Sequence, residues 1–240
     1  MEAGKRNYPE YGIETRELAG GLLGYSGVSG ALSEAVAVGI DCNVSQQTVD
    51  EITVFFHAHD ATARVNVSPL TNPELAKLLA RSGYVPAEYQ NMLVADLDVL
   101  EGERNPRITE LTDLAQWADA SARGFSDEAE PDEVMHKISL LIASGGATAL
   151  EVREDDAVMA TACYALERDG VALFAASTLL PYRRQGWQRA MIRERIARAK
   201  DAGVRFARVG AAPLGDSERN FRALGFAPLY TRIIWELPKQ

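Results

Sequence analysis

Two periods of apolar residues alternate along the second half of the chain. Leu111, Leu114, Trp117 and Ala118 recur at the spacing of one helix face, whereas short apolar runs bounded by polar turns are typical of strands. In chain order the pattern predicts strand 107–109, helices 110–123 and 132–143, strands 147–152, 157–166 and 171–180, helix 187–202, strand 204–209, helix 217–224 and strand 227–237. This order indicates an α/β (α+β) domain with a mixed central sheet flanked by helices.

The first half of the chain repeats part of this pattern. Residues 63–97 and 207–237 both contain a strand beginning Ala-Arg-Val, a Pro-Leu turn, a helix, a Gly-aromatic pair and a final strand. Self-similarity of this kind suggests a duplicated unit. We therefore predict a degenerate, partial copy of the fold at 1–100 and a second domain at 105–240, joined by the charged segment 98–106.

A basic, glycine-containing turn precedes the longest helix of the second half. The predicted strand 171–180 runs into Arg183-Arg184-Gln185-Gly186, and helix 187–202 follows at once. The first N–H groups of a helix have no intrahelical partner, and the helix dipole places partial positive charge there. The turn is therefore typical of a phosphate-binding site.

The matching turn of the first half lacks this chemistry. Segment 42–48, CNVSQQT, lies between a predicted strand 35–41 and a predicted helix 49–61, and it contains neither glycine nor arginine. Thr48 has capping-box spacing to Glu51, and Ser45 is a second candidate cap. Both roles are structural, so we predict one phosphate site in the chain.

The motif Arg183-x-x-Gly186-x-Gln188 resembles the acyl-CoA signature of the GNAT N-acetyltransferase superfamily, Arg/Gln-x-x-Gly-x-Gly/Ala. Gln188 stands where that family usually has Gly or Ala. The order of elements is also that of the GNAT fold, with the turn after the fourth strand, and RNFRALGF at 219–226 resembles the family's last helix and its Gly-Phe stop. The resemblance covers about residues 107–237, while the first half resembles only the later elements of the fold.

The resemblance implies acetyl-CoA as co-substrate. Backbone groups of Ser177 to Leu180 would meet the pantetheine arm and the thioester oxygen, and the N–H groups of Arg184 to Arg189 would meet the pyrophosphate. Arg183 and Arg184 would add charge-assisted contacts. The residues predicted to bind the cofactor are Thr178, Leu179, Leu180, Arg183, Arg184, Gln185, Gly186, Trp187, Gln188, Arg189, Ser217, Asn220 and Phe221.

Several of these residues also have structural interpretations. Gly186 would serve a tight turn, Trp187 would pack in the core, and Ser217 would cap the last helix. The arginines of the long helix are expected to be mostly solvated surface; they are Arg189, Arg193, Arg195 and Arg198.

The proton donor is not evident from the sequence. The family often has a tyrosine five residues before the Phe of Gly-Phe, and Phe221 occupies that position here. Tyr182 and Tyr230 are the tyrosines nearest in sequence to the two motifs. We predict Tyr230 as the catalytic residue, with a plain strand position as its alternative. The fourth strand carries no carboxylate, so an amine would lose its proton through water to a more distant group.

The acceptor is expected near the loop 124–130, which joins the first two helices of the second half. Four carboxylates lie within 127–132. They would attract a cationic amine, or they form an ordinary solvated loop.

Composition excludes several other classes of protein. The net charge of −9 and the missing aromatic–basic interleaving argue against nucleic acid as a partner. Two distant cysteines and three scattered histidines predict no metal site, and His57-x-His59 is interpreted as an exposed helix end. Without a signal-like segment or a long apolar run, we expect a cytoplasmic protein that does not interact with membranes.

The sequence thus predicts an N-acetyltransferase that moves an acetyl group from acetyl-CoA to a primary amine of a small or amino-acid-like acceptor by direct attack. The alternative is a catalytically inactive acyl-CoA-binding sensor or structural protein. Two assemblies stay open: a monomer whose halves imitate a dimer, or a homodimer.

Overall fold

The computed structural model describes residues 1–28, 30–127 and 130–238. Contacts divide the chain into two compact units. The first holds Met1–Asn91 together with the chain from Tyr230 onwards, and the second is Met92–Leu229. The C-terminal strand segment thus belongs to the unit formed by the N-terminal half. The first unit therefore includes residues from both ends of the chain, so the compact units are not two consecutive stretches of sequence. The domain limits 1–100 and 105–240 stay a prediction.

The first unit is a mixed sheet with two helices that bury its core. Its elements are α1 Glu2–Asn7, β1 Glu14–Leu18, β2 Gly21–Tyr25, β3 Ala35–Val36, α2 Gln46–His57, β4 Arg64–Val67, α3 Pro73–Arg81, the start of β5 Val85–Asp96 and most of β11 Ala227–Glu236. Strands β1, β2 and β3 pair antiparallel, β3 and β4 pair parallel, and β4 pairs antiparallel with β11. The apolar faces of α2 and α3 pack on this sheet through Ile52, Phe56, Leu75 and Leu79.

The predicted strand 35–41 was too long and the predicted helix 49–61 began too late. Strand β3 ends at Val36 because Ala37 adopts a left-handed backbone with φ +58°. Helix α2 begins at Gln46 because Ser45 is the N-cap, and its backbone N–H donates to Thr48 Oγ1 at 3.1 Å. Of the two candidate caps, Ser45 is therefore the one used.

The two histidines of the first unit differ in environment. His57 is exposed at the last position of α2, in agreement with the expected helix end. His59 follows the helix and stacks on Tyr25, with ring centroids 4.2 Å apart, and its Nε2 lies 3.2 Å from Glu14. Among residues 1–28, 30–127 and 130–238, no group of three or more His, Cys, Asp or Glu residues is placed to hold a metal ion.

The second unit follows the predicted order of elements. They are β6 Ile108–Glu110, α4 Leu114–Ser126, α5 Glu133–Ser144, β7 Thr148–Glu154, β8 Ala157–Leu166, β9 Gly170–Thr178, α6 Trp187–Asp201, β10 Phe206–Ala211 and α7 Asp216–Ala223. Strands β6 to β9 form an antiparallel series, and β10 joins β9 in parallel. In the described part of the chain, no helix is both long enough and apolar enough to span a bilayer.

Local backbone chemistry sets the element ends that the sequence misplaced. Helix α4 starts at Leu114 rather than 110 because the Asp113 side chain accepts from the Gln116 N–H at 3.0 Å. Strand β9 ends at Thr178 because Pro181 enters a short 3₁₀ turn. Helix α7 begins one residue before Ser217, and its N-cap is Gly215, so the capping role proposed for Ser217 was wrong.

Two apolar layers cover the two faces of the second unit's sheet. On one face, Trp117 of α4 is fully buried against Ala149 and Cys163. On the other face, α6 and α7 supply Ile192, Ile196 and Phe221, among others, to a larger core that includes Leu150. Since Ala149 and Leu150 are adjacent in β7, they point to opposite faces, and the helices sandwich the sheet.

Strands β9 and β10 separate part-way along their length. Their parallel pairing runs from Gly170 opposite Phe206 to Leu173 opposite Val209, whereas β9 continues to Thr178. On its other edge β9 carries a bulge: Ala175 and Ala176 together oppose the single residue Ala162 of β8. Ala175 takes φ +49°, a rare value for a non-glycine residue inside a strand. The bulge lies where the two strands part, and this opening forms the site.

Candidate functional site

The turn between β9 and α6 forms a concave row of backbone N–H groups. Arg184 and Gly186 adopt left-handed conformations, with φ +61° and +86°. Alternation of this kind turns successive N–H groups toward one point and creates an anion-binding nest. Within the described residues, the N–H groups from Arg184 to Arg189 have no acceptor in the protein. These are the six N–H groups that the sequence predicted for a pyrophosphate.

A cavity of about 820 Å³ lies between this turn, the end of β9 and the start of α7. It contains eight of the residues predicted for the cofactor: Thr178, Leu180, Arg183, Arg184, Trp187, Gln188, Ser217 and Asn220. The two sequence motifs, distant in the chain, therefore line one cavity. Its volume is in the range of sites that hold drug-sized ligands or cofactors.

The two arginines of the turn have different surroundings. The Arg183 side chain is directed into the protein: Nε donates to the Thr178 carbonyl at 3.0 Å and Nη2 donates to the Gly124 carbonyl at 3.0 Å. It also forms a bidentate ion pair with Asp127. Arg184 is exposed at the cavity rim and has no hydrogen-bond partner among the described residues. Arg183 therefore connects α4 to the end of β9 through hydrogen bonds and an ion pair. The Arg184 guanidinium is exposed and available to a ligand.

Gln188, which stands where the family has Gly or Ala, joins the two motifs. Its Oε1 accepts from Asn220 Nδ2 at 2.5 Å, and Asn220 Oδ1 accepts from Arg189 Nε at 3.0 Å. Helix α7 is thereby hydrogen-bonded to the first turn of α6. The Gln188 side chain lines the cavity and also orients Asn220.

Some predicted residues lie elsewhere. The Leu179 N–H already donates to the Met159 carbonyl at 3.0 Å, and Leu179 lines a separate cavity. Gln185 and Gly186 lie in the turn and Arg189 lies in the first turn of α6, and none of the three lines the main cavity. Phe221 is 2% exposed and packs edge-on against Phe226, because it is on the core face of α7.

Tyr230 belongs to the first compact unit, whereas the cavity is formed by the second. It is half-buried in β11 and is not one of the residues that line the cavity. Its catalytic role stays a prediction. Tyr182, the other tyrosine considered, lines the second cavity.

That second cavity measures about 830 Å³ and lies beside α4 and the end of β9. Leu180 lines both cavities. The carboxylates that line the second cavity include Asp119, which pairs with Arg123, and Asp127, which pairs with Arg183. Of the loop 124–130 expected to receive the acceptor, residues 124–126 are helical and Asp127 caps the helix, while Glu128 and Ala129 lie outside the described residues.

The sequence missed several residues that line the main cavity. They are Gly124, Thr161, Ala176, Met191 and Asp216, and Ser177, which was expected to contribute its backbone, lines the cavity as well. The hydroxyls of Thr161 and Ser177 are 2.9 Å apart, and Ser177 also contacts the Ser121 carbonyl at 3.3 Å. The only available signal was for Gly124, since a glycine inside a helical pattern often marks close packing.

Gly124→Ala is expected to disturb this packing. A Cβ at Gly124 would lie 2.5 Å from Ser177 Oγ and 2.8 Å from Ser177 Cβ, so helix and strand would have to separate. Overpacking of this kind costs roughly 1–3 kcal/mol, which urea unfolding would measure. Ser126→Ala, in the same helix, is the control and should stay within about 0.5 kcal/mol of wild type. Equal stability of Gly124→Ala and the control would contradict the close contact.

Arg195 is the largest departure from the sequence interpretation. It was grouped with solvated arginines, yet its relative exposure is 0%. The guanidinium donates to the carbonyls of Met191 at 3.0 Å and Cys163 at 3.0 Å. Helix α6 carries arginines on its buried face as well as on its exposed one, so residue type alone did not reveal the buried face.

The chain is similar to several solved structures, whereas no protein-family model and no curated protein matches it. A GCN5-related N-acetyltransferase from Kribbella flavida superposes with a TM-score of 0.69 at 19% identity, covering 100% of this chain and 95% of its own. A functionally unknown conserved protein from Staphylococcus epidermidis gives 0.65 at 11% identity, with 94% and 93% covered.

A tandem GNAT protein from the clavulanic acid biosynthesis pathway, solved without AcCoA, gives a TM-score of 0.54 at 14% identity. It covers 77% of this chain and 67% of its own. Identities this low concern the fold rather than the activity. The fold expected from the motifs and the order of elements is confirmed: this chain has the fold of the GNAT acetyltransferases.

Proposed function

We propose that the protein binds acetyl-CoA in the 820 Å³ cavity and transfers the acetyl group to a primary amine of a small or amino-acid-like acceptor. The observation that carries the proposal is the nest of six N–H groups from Arg184 to Arg189, which have no acceptor in the described protein. A pyrophosphate supplies the oxygens that such a nest satisfies. The exposed guanidinium of Arg184 adds a charge-assisted contact.

The opening between β9 and β10 suits the pantetheine arm and the thioester. Beyond Leu173 the β9 backbone no longer pairs with β10, which leaves an opening beside this segment of the strand. The bulge at Ala175–Ala176 changes the direction of these groups. A backbone N–H aimed at the thioester oxygen would stabilise the charge that develops there during acyl transfer.

The chemistry requires little beyond positioning. The amine nitrogen attacks the thioester carbon, the C–S bond breaks, and the CoA sulfur leaves with the electron pair. The attacking nitrogen loses its proton to water, and the thiolate accepts one. Thiols are acidic for neutral groups, with a pKa of about 8.5 for cysteine, so a thiolate can leave before it is protonated and a strong general acid such as a tyrosine is not essential.

A second function has one observation in its favour. Phe221, at the family's usual tyrosine position, is buried in the core, and its phenyl ring has no acidic proton to donate to the thiolate. A catalytically inactive acyl-CoA-binding protein needs no proton donor at this position. The two functions share the cofactor site and differ only in turnover.

Thiol release from acetyl-CoA in the presence of a broad amine panel tests the proposal. We expect amine-dependent release of CoA thiol together with the acetylated amine, detected by mass. Binding of acetyl-CoA without release for any amine would favour the inactive binding protein. Absence of binding would exclude both functions.

A further inference from the structure

Arg195 carries a buried positive charge that no described carboxylate neutralises. Its side chain is fully buried, and among the described residues its hydrogen bonds go to backbone carbonyls and not to a carboxylate. Its nitrogen Nη2 is buried and has no hydrogen-bond partner within residues 1–28, 30–127 and 130–238. Burial lowers the pKa of Arg195 to about 10, so the group stays charged at neutral pH. Keeping a charge buried without an acidic partner costs several kcal/mol, so a role that offsets this cost is expected.

The guanidinium contacts both strands at the bulge. Nη1 donates to the Cys163 carbonyl of β8 at 3.0 Å and lies 3.4 Å from the Phe174 carbonyl of β9. Cys163 and Phe174 are directly opposed, and the bulge begins with the next residue, Ala175. Arg195 therefore fixes the last regular pair of the ladder before β9 changes direction.

Arg195 also lies directly behind the cavity wall. Its Nε donates to the carbonyl of Met191, and Met191 lines the cavity. On the strand side, Ala176 of the bulge lines it too. One side chain thus connects α6, which begins at the phosphate turn, with the bulged strand segment expected to face the thioester.

We propose that Arg195 is a positioning residue for the acyl group: it holds the bulge at Ala175–Ala176 in the direction that receives the thioester oxygen, and its charge favours negative charge developing at that oxygen. This inference rests on the proposed function, because it requires an acyl-CoA in the cavity. It assigns Arg195 to the acyl end of the ligand and not to the pyrophosphate.

The two ends of the ligand can be separated experimentally. Acetyl-CoA and CoA differ only in the acetyl group, so the ratio of their dissociation constants reports what the protein does at the thioester. The variants are Arg195→Met, which removes charge and hydrogen bonds, and Arg195→Lys, which keeps the charge but not the fork. Arg198→Met is the matched control, since Arg198 lies in the same helix and pairs with Glu194 and Glu110.

For Arg195→Met we expect acetyl-CoA to bind about fivefold more weakly, the effect of one ordinary hydrogen bond, with CoA binding unchanged within about twofold. Arg195→Lys should lie between this variant and wild type, and Arg198→Met should change neither constant. If Arg195→Met does not fold by circular dichroism, Arg195→Lys decides by the same ratio. An unchanged ratio, or equal weakening of both ligands, would overturn the inference. Wild-type protein that binds neither ligand would instead refute the proposed function.

Discussion

Arg184→Ala is expected to weaken CoA binding by about ten- to a hundredfold without changing thermal stability. Its guanidinium is exposed at the cavity rim, has no partner among the described residues, and extends from a nest of six N–H groups. A hydrogen bond to a charged group contributes about 1.5–3 kcal/mol, which corresponds to this loss of affinity. Calorimetric titration with CoA, together with a melting curve, measures both quantities.

The neighbouring variant Arg183→Met should behave in the opposite way. Arg183 bonds the carbonyls of Thr178 and Gly124 and pairs with Asp127, so its loss should lower the melting temperature by several degrees. CoA affinity should fall less than in Arg184→Ala, because the Arg183 guanidinium contacts protein groups and would affect the ligand only through the conformation of the turn. Arg168→Ala is the control, because Arg168 is 95% exposed in a hairpin and should change neither quantity. A stable Arg183→Met protein that no longer binds CoA would reverse the two roles.

Glu194→Gln should cost about 3 kcal/mol of unfolding free energy, the typical loss when a buried ion pair loses one partner. The Glu194 carboxylate is 2% exposed in α6. It accepts from the Asn105 N–H at 2.7 Å, from Arg198 Nε at 2.8 Å and from Arg104 Nη1 at 3.0 Å. It thus joins α6 to the segment before β6. Urea unfolding at neutral pH would measure the loss.

The same carboxylate predicts a pH dependence. Burial alone would raise the pKa of Glu194, but the N–H of Asn105 and the guanidinium groups of Arg198 and Arg104 outweigh it, so the pKa is lowered from 4.5. A lowered pKa in the folded state stabilises the protein above pH 4.5, and this stabilisation is lost as the pH falls through the folded value. Wild type should therefore lose stability below about pH 4.5 more steeply than Glu194→Gln.

Glu133→Gln serves as the control for both measurements. Glu133 is 83% exposed and pairs with Lys137 on the surface of α5, so its removal should matter by less than about 1 kcal/mol. Parallel acid profiles for wild type and Glu194→Gln would show that Glu194 does not carry this dependence.

The order of elements in the second unit could be predicted from the sequence because most of its strands and helices have clear apolar patterns bounded by turn residues. The predicted ends of strands and helices were wrong where one backbone conformation or one capping residue sets the boundary, as at Ala37, Asp113 and Gly215. The nest from Arg184 to Arg189 was predictable, since it follows from the glycine and from helix geometry. The inward direction of the Arg183 side chain was not, because its partners Gly124 and Asp127 are distant in sequence.

The sequence also did not reveal which face of a helix is buried against the sheet. Arg195 and Arg198 are three residues apart in α6, yet one is fully buried and the other bonds Glu110 near the surface. Phe221 was assigned to the cofactor by motif position, but its ring packs against Phe226. Both cases depend on which side of the helix meets the sheet, and periodicity in a helix rich in arginine does not determine it.

The comparison of the two halves supports the proposal of one cofactor site per chain. In the first unit, helix α2 starts at a capping box formed by Ser45 and Thr48. The residues from 40 to 45 that precede it adopt no positive φ. The start of α2 thus has a side-chain capping box, whereas α6 begins after Gly186 without a side-chain cap.

Calorimetric titration of the protein with CoA tests the proposal of a single cofactor site. We expect saturable binding with one CoA per chain, weakened by Arg184→Ala and unchanged by Arg168→Ala. Two CoA molecules per chain, or no binding, would contradict it.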